Sequence, residues 1–284
     1  MPRDPLRAIS QTGVFVLFYL LGITVMAMPL YWTGGQLVET TLTPFIGAVI
    51  ATILCWKIYD ETPLPQAGLT LDRDGARDLA TGIAAGIVSV AAALLPGLLL
   101  HLAKFTDAPE NAHVNLGTAI FVTLLIFCGA AGEELLFHGF AFQSLMTGLG
   151  PFAAIFPVGM IFGLLHMGNP DATWLSTANT VGFGIVFGYA VYKTSSLWLS
   201  IGLHFGWNIA LPYFGVKISG ITMRVTGYEM TWTAGPLWSG GAYGPEGSLL
   251  TSLVLVLLFG FVWQYPFPRP AVSLSESVES EPAV

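Results

Sequence analysis

Eight long apolar segments dominate this chain, at about residues 12–33, 42–58, 79–103, 116–146, 151–167, 174–192, 197–213 and 248–265. An α-helix needs ~20 apolar residues to cross ~30 Å of hydrocarbon. Inside lipid every backbone N–H and C=O must be satisfied within the protein, so only helices and closed barrels can span. Barrel strands would show short alternating segments, and none are found. The expected fold is therefore all-α: a polytopic transmembrane helical bundle of about eight spans. Charged residues make up 10% of the chain, against about 25% in a soluble domain. Arg3 and Arg7 precede the first segment as they would in a signal peptide. That segment is longer than a usual signal core, and no small-x-small cleavage site follows, so it is read as an uncleaved span.

The net charge of −7 gives no basic footprint for nucleic acid, which is excluded as a partner. Cys55 and Cys128 lie inside apolar runs and read as packing residues. With the N-terminus inside, Arg3, Arg7, Lys57, Arg73, Arg77, Lys193 and Arg269 face the cytoplasm, and only Lys104, Lys217 and Arg224 face out. The positive-inside rule favours that orientation. It puts both termini in the cytoplasm of an integral protein of the plasma (inner) membrane. The chain then divides into residues 1–115, with three spans; 116–213, a core of four spans; 214–247, an outer interfacial loop rich in Gly, Pro and aromatics; and 248–284, the last span with an acidic tail. A polar cytoplasmic loop is expected at 60–78. The tail "VSLSESVESEPAV" is expected to be disordered.

Glu133 and Glu134 interrupt the fourth segment, after a stretch from Leu116 to Gly132 without a charged side chain. Ionisable groups at membrane depth are costly and face the bundle interior or a water-filled cavity. The other strongly polar groups in the spans are His138, His166, Asn179, His204 and Asn208. Glu134 and His138 are four residues apart, as are Phe162 and His166, and His204 and Asn208, so each pair shares a helix face. Glu133 lies roughly 100° around the helix from Glu134, and the two carboxylates need not play one part. At a rise of 1.5 Å per residue, Glu133 lies roughly 20 Å from the cytoplasmic end of its span, His166 about 22 Å and His204 about 12 Å. A shared site within the bundle is expected, opening toward the cytoplasm or the inner leaflet. Asn179 is assigned to helix–helix contacts.

The stretches "EELLFHG", "FGLLH" followed by "MGNP", and "HFGWN" resemble the three motifs of the CPBP family of intramembrane proteases. That family includes the type II CAAX prenyl endopeptidases and the bacteriocin-immunity or abortive-infection proteins. Its pattern is Glu-Glu-x-x-x-Arg, Phe-x-x-x-His and His-x-x-x-Asn, and the resemblance covers about 116–213. His138 stands where the family has Arg. An Arg would anchor a carboxylate with a permanent charge, whereas the charge of a His depends on pH.

The resemblance implies an intramembrane endopeptidase. Peptide hydrolysis needs an activated water and a stabilised oxyanion. Glu133 is expected as general base and Glu134 as a carboxylate held by His138. His166 would orient the water or the scissile carbonyl. His204 and Asn208 would donate to the oxyanion, at about 3–4 kcal/mol per donor. Phe162 packs around the site. No cofactor is required. The alternative is Zn²⁺ on His166, His204 and Glu134 with Glu133 as base. The partners implied are the bilayer and a peptide or protein substrate, lipidated or membrane-embedded. Two other readings stand beside the enzyme: an inactive membrane scaffold or immunity protein, and a proton-coupled transporter built on the same buried Glu and His groups.

Overall fold

A computed structural model describes residues 3–60, 67–109 and 115–265. The order of elements is α1 (Pro5–Tyr59), α2 (Arg73–Leu99), β1 (Ala103–Asp107), α3 (Leu116–His138), α4 (Phe140–Leu149), α5 (Pro151–Leu165), α6 (Trp174–Thr194), α7 (Trp198–Tyr213), β2 (Tyr228–Trp232), α8 (Pro236–Ser239) and α9 (Leu249–Gln264). The architecture is the expected all-α membrane bundle. Both the acidic tail and His113 lie outside the described residues.

A straight α1 of 55 residues would run about 82 Å, far more than a bilayer. It bends at Gly35, whose φ of 73° and ψ of −174° are open only to glycine. The two limbs fold back on each other, and a Cβ on Gly22 would lie 3.0 Å from Gly47 Cα. They correspond to the first two expected spans. Four helical stretches are long and apolar enough to cross a membrane by length and composition: Pro5–Tyr59, Arg73–Leu99, Leu116–Leu149 and Pro151–Gly168. The other three expected spans are α6, α7 and the shorter apolar helix α9. Most of α7 is buried inside the bundle, so its surface faces protein rather than lipid and need not be uniformly apolar.

Several boundaries differ from expectation. The polar loop expected over 60–78 ends early, because Asp72 caps α2 by accepting the Gly75 N–H at 2.8 Å. The fourth segment is two helices. Residue 139 is a glycine at the break, where a Cβ would sit 2.2 Å from the Leu135 carbonyl oxygen. Residues 103–107 leave the third helix and pair antiparallel with 228–232, Phe105 opposite Met230. The loop 214–247 is thus tied by a two-stranded ribbon to the segment that follows α2.

Two seams position the site. Along α2 and α7, Gly82, Gly86, Gly202 and Gly206 allow backbone-to-backbone contact, and a Cβ on Gly202 would lie 2.4 Å from the Leu79 carbonyl. Along α5 and α6, Gly159, Gly163 and Gly184 do the same. Close approach through small residues is how helices associate where lipid removes the hydrophobic drive. The two ends of the bundle are distinct. Gly150 packs on Arg3 and Tyr265 donates to Asp78 at 3.0 Å at one end. The Gly97–Trp232 and Gly220–Pro170 contacts mark the other.

Candidate active site

Three helices, α3, α5 and α7, bring the polar residues together. Glu133 and Glu134 come from the last turns of α3, His166 follows α5, and His204 and Asn208 lie on α7. The neighbouring carboxylates take different environments, as their angular offset requires. Glu134 is fully buried. Its Oε2 lies 2.8 Å from His138 Nδ1 and its Oε1 lies 2.9 Å from His204 Nδ1. Glu133 is about one-third exposed, and its Oε2 lies 3.7 Å from His166 Nε2 and 3.8 Å from His204 Nε2. Those separations are too long for direct hydrogen bonds, and Glu133 Oε2 has no hydrogen-bond partner among the described residues.

The imidazoles are oriented by their other nitrogens. His166 Nδ1 donates to the Phe162 carbonyl at 2.7 Å, which leaves Nε2 directed at Glu133. His204 faces Glu134 through Nδ1 and Glu133 through Nε2, so one ring links both carboxylates. The Phe187 ring stacks on His204 at 4.9 Å with 15° between planes. Phe162 is buried against His166, with ring centroids 4.7 Å apart. His138 is fully buried among Phe142, Phe162 and Phe187. It meets Glu134 through Nδ1, the contact expected from their spacing.

A cavity of about 910 Å³ lies in front of these groups, lined by Glu133, His166, His204 and Asn208. It reaches Gln36 and Leu37 at the bend of α1 and Ile218 to Ile221 beyond α7. The site was expected to open toward the cytoplasm or the inner leaflet, together with cytoplasmic termini. Among the described residues the cavity mouth lies at the opposite end of the bundle from Arg3 and Tyr265.

His166, His204 and Glu134, the residues of the zinc alternative, do not converge on one point among the described residues. Glu134 meets His204 at Nδ1, on the far side of the ring from His166, and both its oxygens face imidazoles. Among the described residues no group of three is disposed as a metal-ligand set. Asn179 serves structure: its amide donates to the Glu246 and Ser248 carbonyls at 2.8 and 2.9 Å.

Three cavity residues were missed from sequence. Phe187 and Trp207 were not singled out, because single aromatics inside apolar helices carry no signal of a site. Glu246 was passed over as part of a loop, although it is the one charged residue between Glu229 and Arg269. That isolation was the available signal.

Helices α3 to α7 hold every one of the candidate residues, and the comparison with known families falls on the same stretch. Residues 115–210 match the Rce1-like family of type II CAAX prenyl endopeptidases. The Rce1-like region starts at Asn115, whose side chain caps α3 by accepting the Thr118 N–H at 2.9 Å, and it ends inside α7 after Asn208. The resemblance read from the three motifs is borne out over these residues. The chain is also 25% identical over 167 residues to the uncharacterized protein YyaK of Bacillus subtilis (strain 168), covering 57% of this chain and 56% of that protein. It thus spans a little over half the length of this relative. The apolar helices fit an integral membrane protein, and its core over residues 115–210 is similar to a protease family.

Proposed function

We propose that the chain is an intramembrane endopeptidase with Glu133 as its general base. One observation carries this reading: Glu133 Oε2 sits at 3.7 and 3.8 Å from the Nε2 atoms of two histidines on different elements, facing a cavity large enough for a peptide segment. A water oxygen placed between Glu133 Oε2 and either imidazole is within hydrogen-bond reach of both.

In the proposed reaction the water oxygen attacks the scissile carbonyl carbon and Glu133 takes its proton. His166, fixed by the Phe162 carbonyl, holds the water. With a proton on each ring nitrogen, His204 donates through Nδ1 to Glu134 and through Nε2 to the oxyanion. The Asn208 side-chain amide, one turn along α7, is the second donor. Each such donor is worth about 3–4 kcal/mol of barrier. Collapse of the tetrahedral intermediate breaks the C–N bond, and Glu133 returns the proton to the departing amine. Glu134 and His138 hold His204 in place and do not touch substrate. The substrate is a peptide segment at the membrane, and the family's prenylated C-termini are one class that would fit. The partners are that segment and the bilayer, and no cofactor enters this scheme.

The test is incubation of the purified full chain in detergent with a mixed peptide pool, read by mass spectrometry for new termini. Cleavage that disappears in Glu133→Gln while the variant keeps its thermal unfolding midpoint supports the reading. Cleavage that survives in Glu133→Gln overturns it.

A further inference from the structure

The wall of the cavity on the side away from the chain termini carries another carboxylate. Glu246 lies in the short turn Pro245–Gly247 that leads into α9 and is only 7% exposed, yet it lines the same cavity as Glu133. Its Oε1 accepts the indole N–H of Trp207 at 3.2 Å. Its Oε2 accepts the Ser219 amide and, at 3.1 Å, the Ser219 hydroxyl. Trp207 follows His204 by three residues, about 4.5 Å along α7, so Glu246 stands close to the proposed scissile bond.

A carboxylate withdrawn from water is ordinarily paired with a cation. Glu246 takes part in none of the ion pairs among the described residues. No Lys or Arg lines the cavity, and the cation-capable groups there are His166 and His204, both turned to Glu133. Burial pushes the Glu246 carboxyl above its ordinary value, against the opposing effect of its hydrogen bonds from Ser219 and Trp207 and of His166 nearby. The cavity is thus lined by two carboxylates and no permanent positive charge. It favours a positive group entering and opposes a negative one.

We infer that Glu246 is a specificity-determining residue, which receives a Lys or Arg side chain of the substrate segment within a few residues of the scissile bond and disfavours an acidic residue there. This rests on the endopeptidase reading for its substrate, but not for its test. A charge-assisted hydrogen bond of this kind corresponds to a preference of about tenfold or more.

The experiment measures binding, which does not require turnover. Fluorescent peptides are made in sets identical except for one position, Lys, Gln or Glu, and that position is walked along an otherwise neutral apolar segment. Their Kd values are measured against the full chain carrying Glu133→Gln, in detergent. The expected result is a window of positions where Lys binds about tenfold tighter than Glu, with the difference reduced severalfold when Glu246→Gln is added. Equal affinities at every position, or no binding of any peptide, overturn the inference without reference to the double variant's folding. So does a Lys preference that persists undiminished in a folded double variant. A wild-type chain that binds these peptides with the Lys preference but cleaves none of them contradicts the endopeptidase reading alone.

Discussion

Glu134 accepts a hydrogen bond from His204 at 2.9 Å across the interface between α3 and α7. That contact and the full burial of Glu134 turn the carboxylate toward the imidazole and away from the cavity. It also separates the consequences of changing two adjacent glutamates.

Glu134→Ala should destabilise the protein strongly. It leaves His138 and His204 buried without their partner, and breaking a buried pair on one side costs about 3–5 kcal/mol. Glu133→Ala removes a one-third exposed side chain with no hydrogen bond at Oε2 and should change stability by less than about 1 kcal/mol. Thermal unfolding of both variants in the same detergent checks this, and a reversed order would contradict the assignment.

At His138 the sequence comparison suggests that Arg, the family's residue, should serve at least as well. The structure qualifies that. His138 is fully enclosed, and a Cβ placed on Gly188 would lie 3.3 Å from its ring. His138→Arg should therefore lower stability by about 1–3 kcal/mol through overpacking. His138→Phe keeps the ring but unsatisfies Glu134, at about 1–3 kcal/mol. If Arg keeps cleavage activity and Phe loses it, the residue's task is to hold Glu134; activity in Phe with none in Arg would contradict that task.

The α2–α7 seam should tolerate no side chain. In Gly206→Leu the new Cβ would lie 2.3 Å from the Ile83 carbonyl, so the helices must part, carrying His204 and Asn208 away from Glu133. The expected outcome is a fall in unfolding midpoint together with loss of cleavage, whereas Gly260→Leu on α9, where nothing lies within 4 Å, should alter neither.

Glu246 sets a pH signature. Its folded-state pKa is raised from the ordinary 4.5 by burial, so only between the unfolded and the folded value does the folded state hold a proton that the unfolded state has released. Stability from this group is then complete below the unfolded value and is lost as pH rises through the folded one. Wild type should lose midpoint relative to Glu246→Gln as pH rises above about 4.5. Unfolding scans across pH measure it, and a wild-type advantage that grows with pH would contradict the burial argument.

Much of this was legible in the residues. The apolar segments mark the helices, since lipid demands long apolar runs, and the spacing of Glu134 with His138 and of His204 with Asn208 places each pair on one face. The bend at Gly35 lies between two segments already recognised as separate. The break at Gly139 was hidden because the apolar text runs through it unchanged. The β1–β2 ribbon depends on pairing residues more than a hundred positions apart, and nothing local announces it. Glu246 was hidden for the same reason: its partners, Trp207 and Ser219, come together only in the fold. The direction in which the cavity opens was likewise invisible, because charge counts orient the chain ends and say nothing of where the helices splay.

With both termini in the cytoplasm, as the charge asymmetry leads one to expect, the mouth of the cavity near Gln36 and Ile221 would open on the opposite side. Cysteines introduced at Gln36 and at Arg3, both exposed, should label from opposite faces in sealed cells, with Gln36→Cys the one reached from outside. Labelling of Arg3→Cys from outside would invert the orientation and make the site open to the cytoplasm.

The account stands most directly on Glu133. Membranes from cells expressing the wild-type chain and from cells expressing Glu133→Gln at equal levels can be compared by mass spectrometry of protein termini. The account predicts a set of new N- and C-termini present only with the wild type, arising from peptide bonds at or near the membrane. Identical termini in the two samples, with both proteins folded and equally abundant, would contradict it.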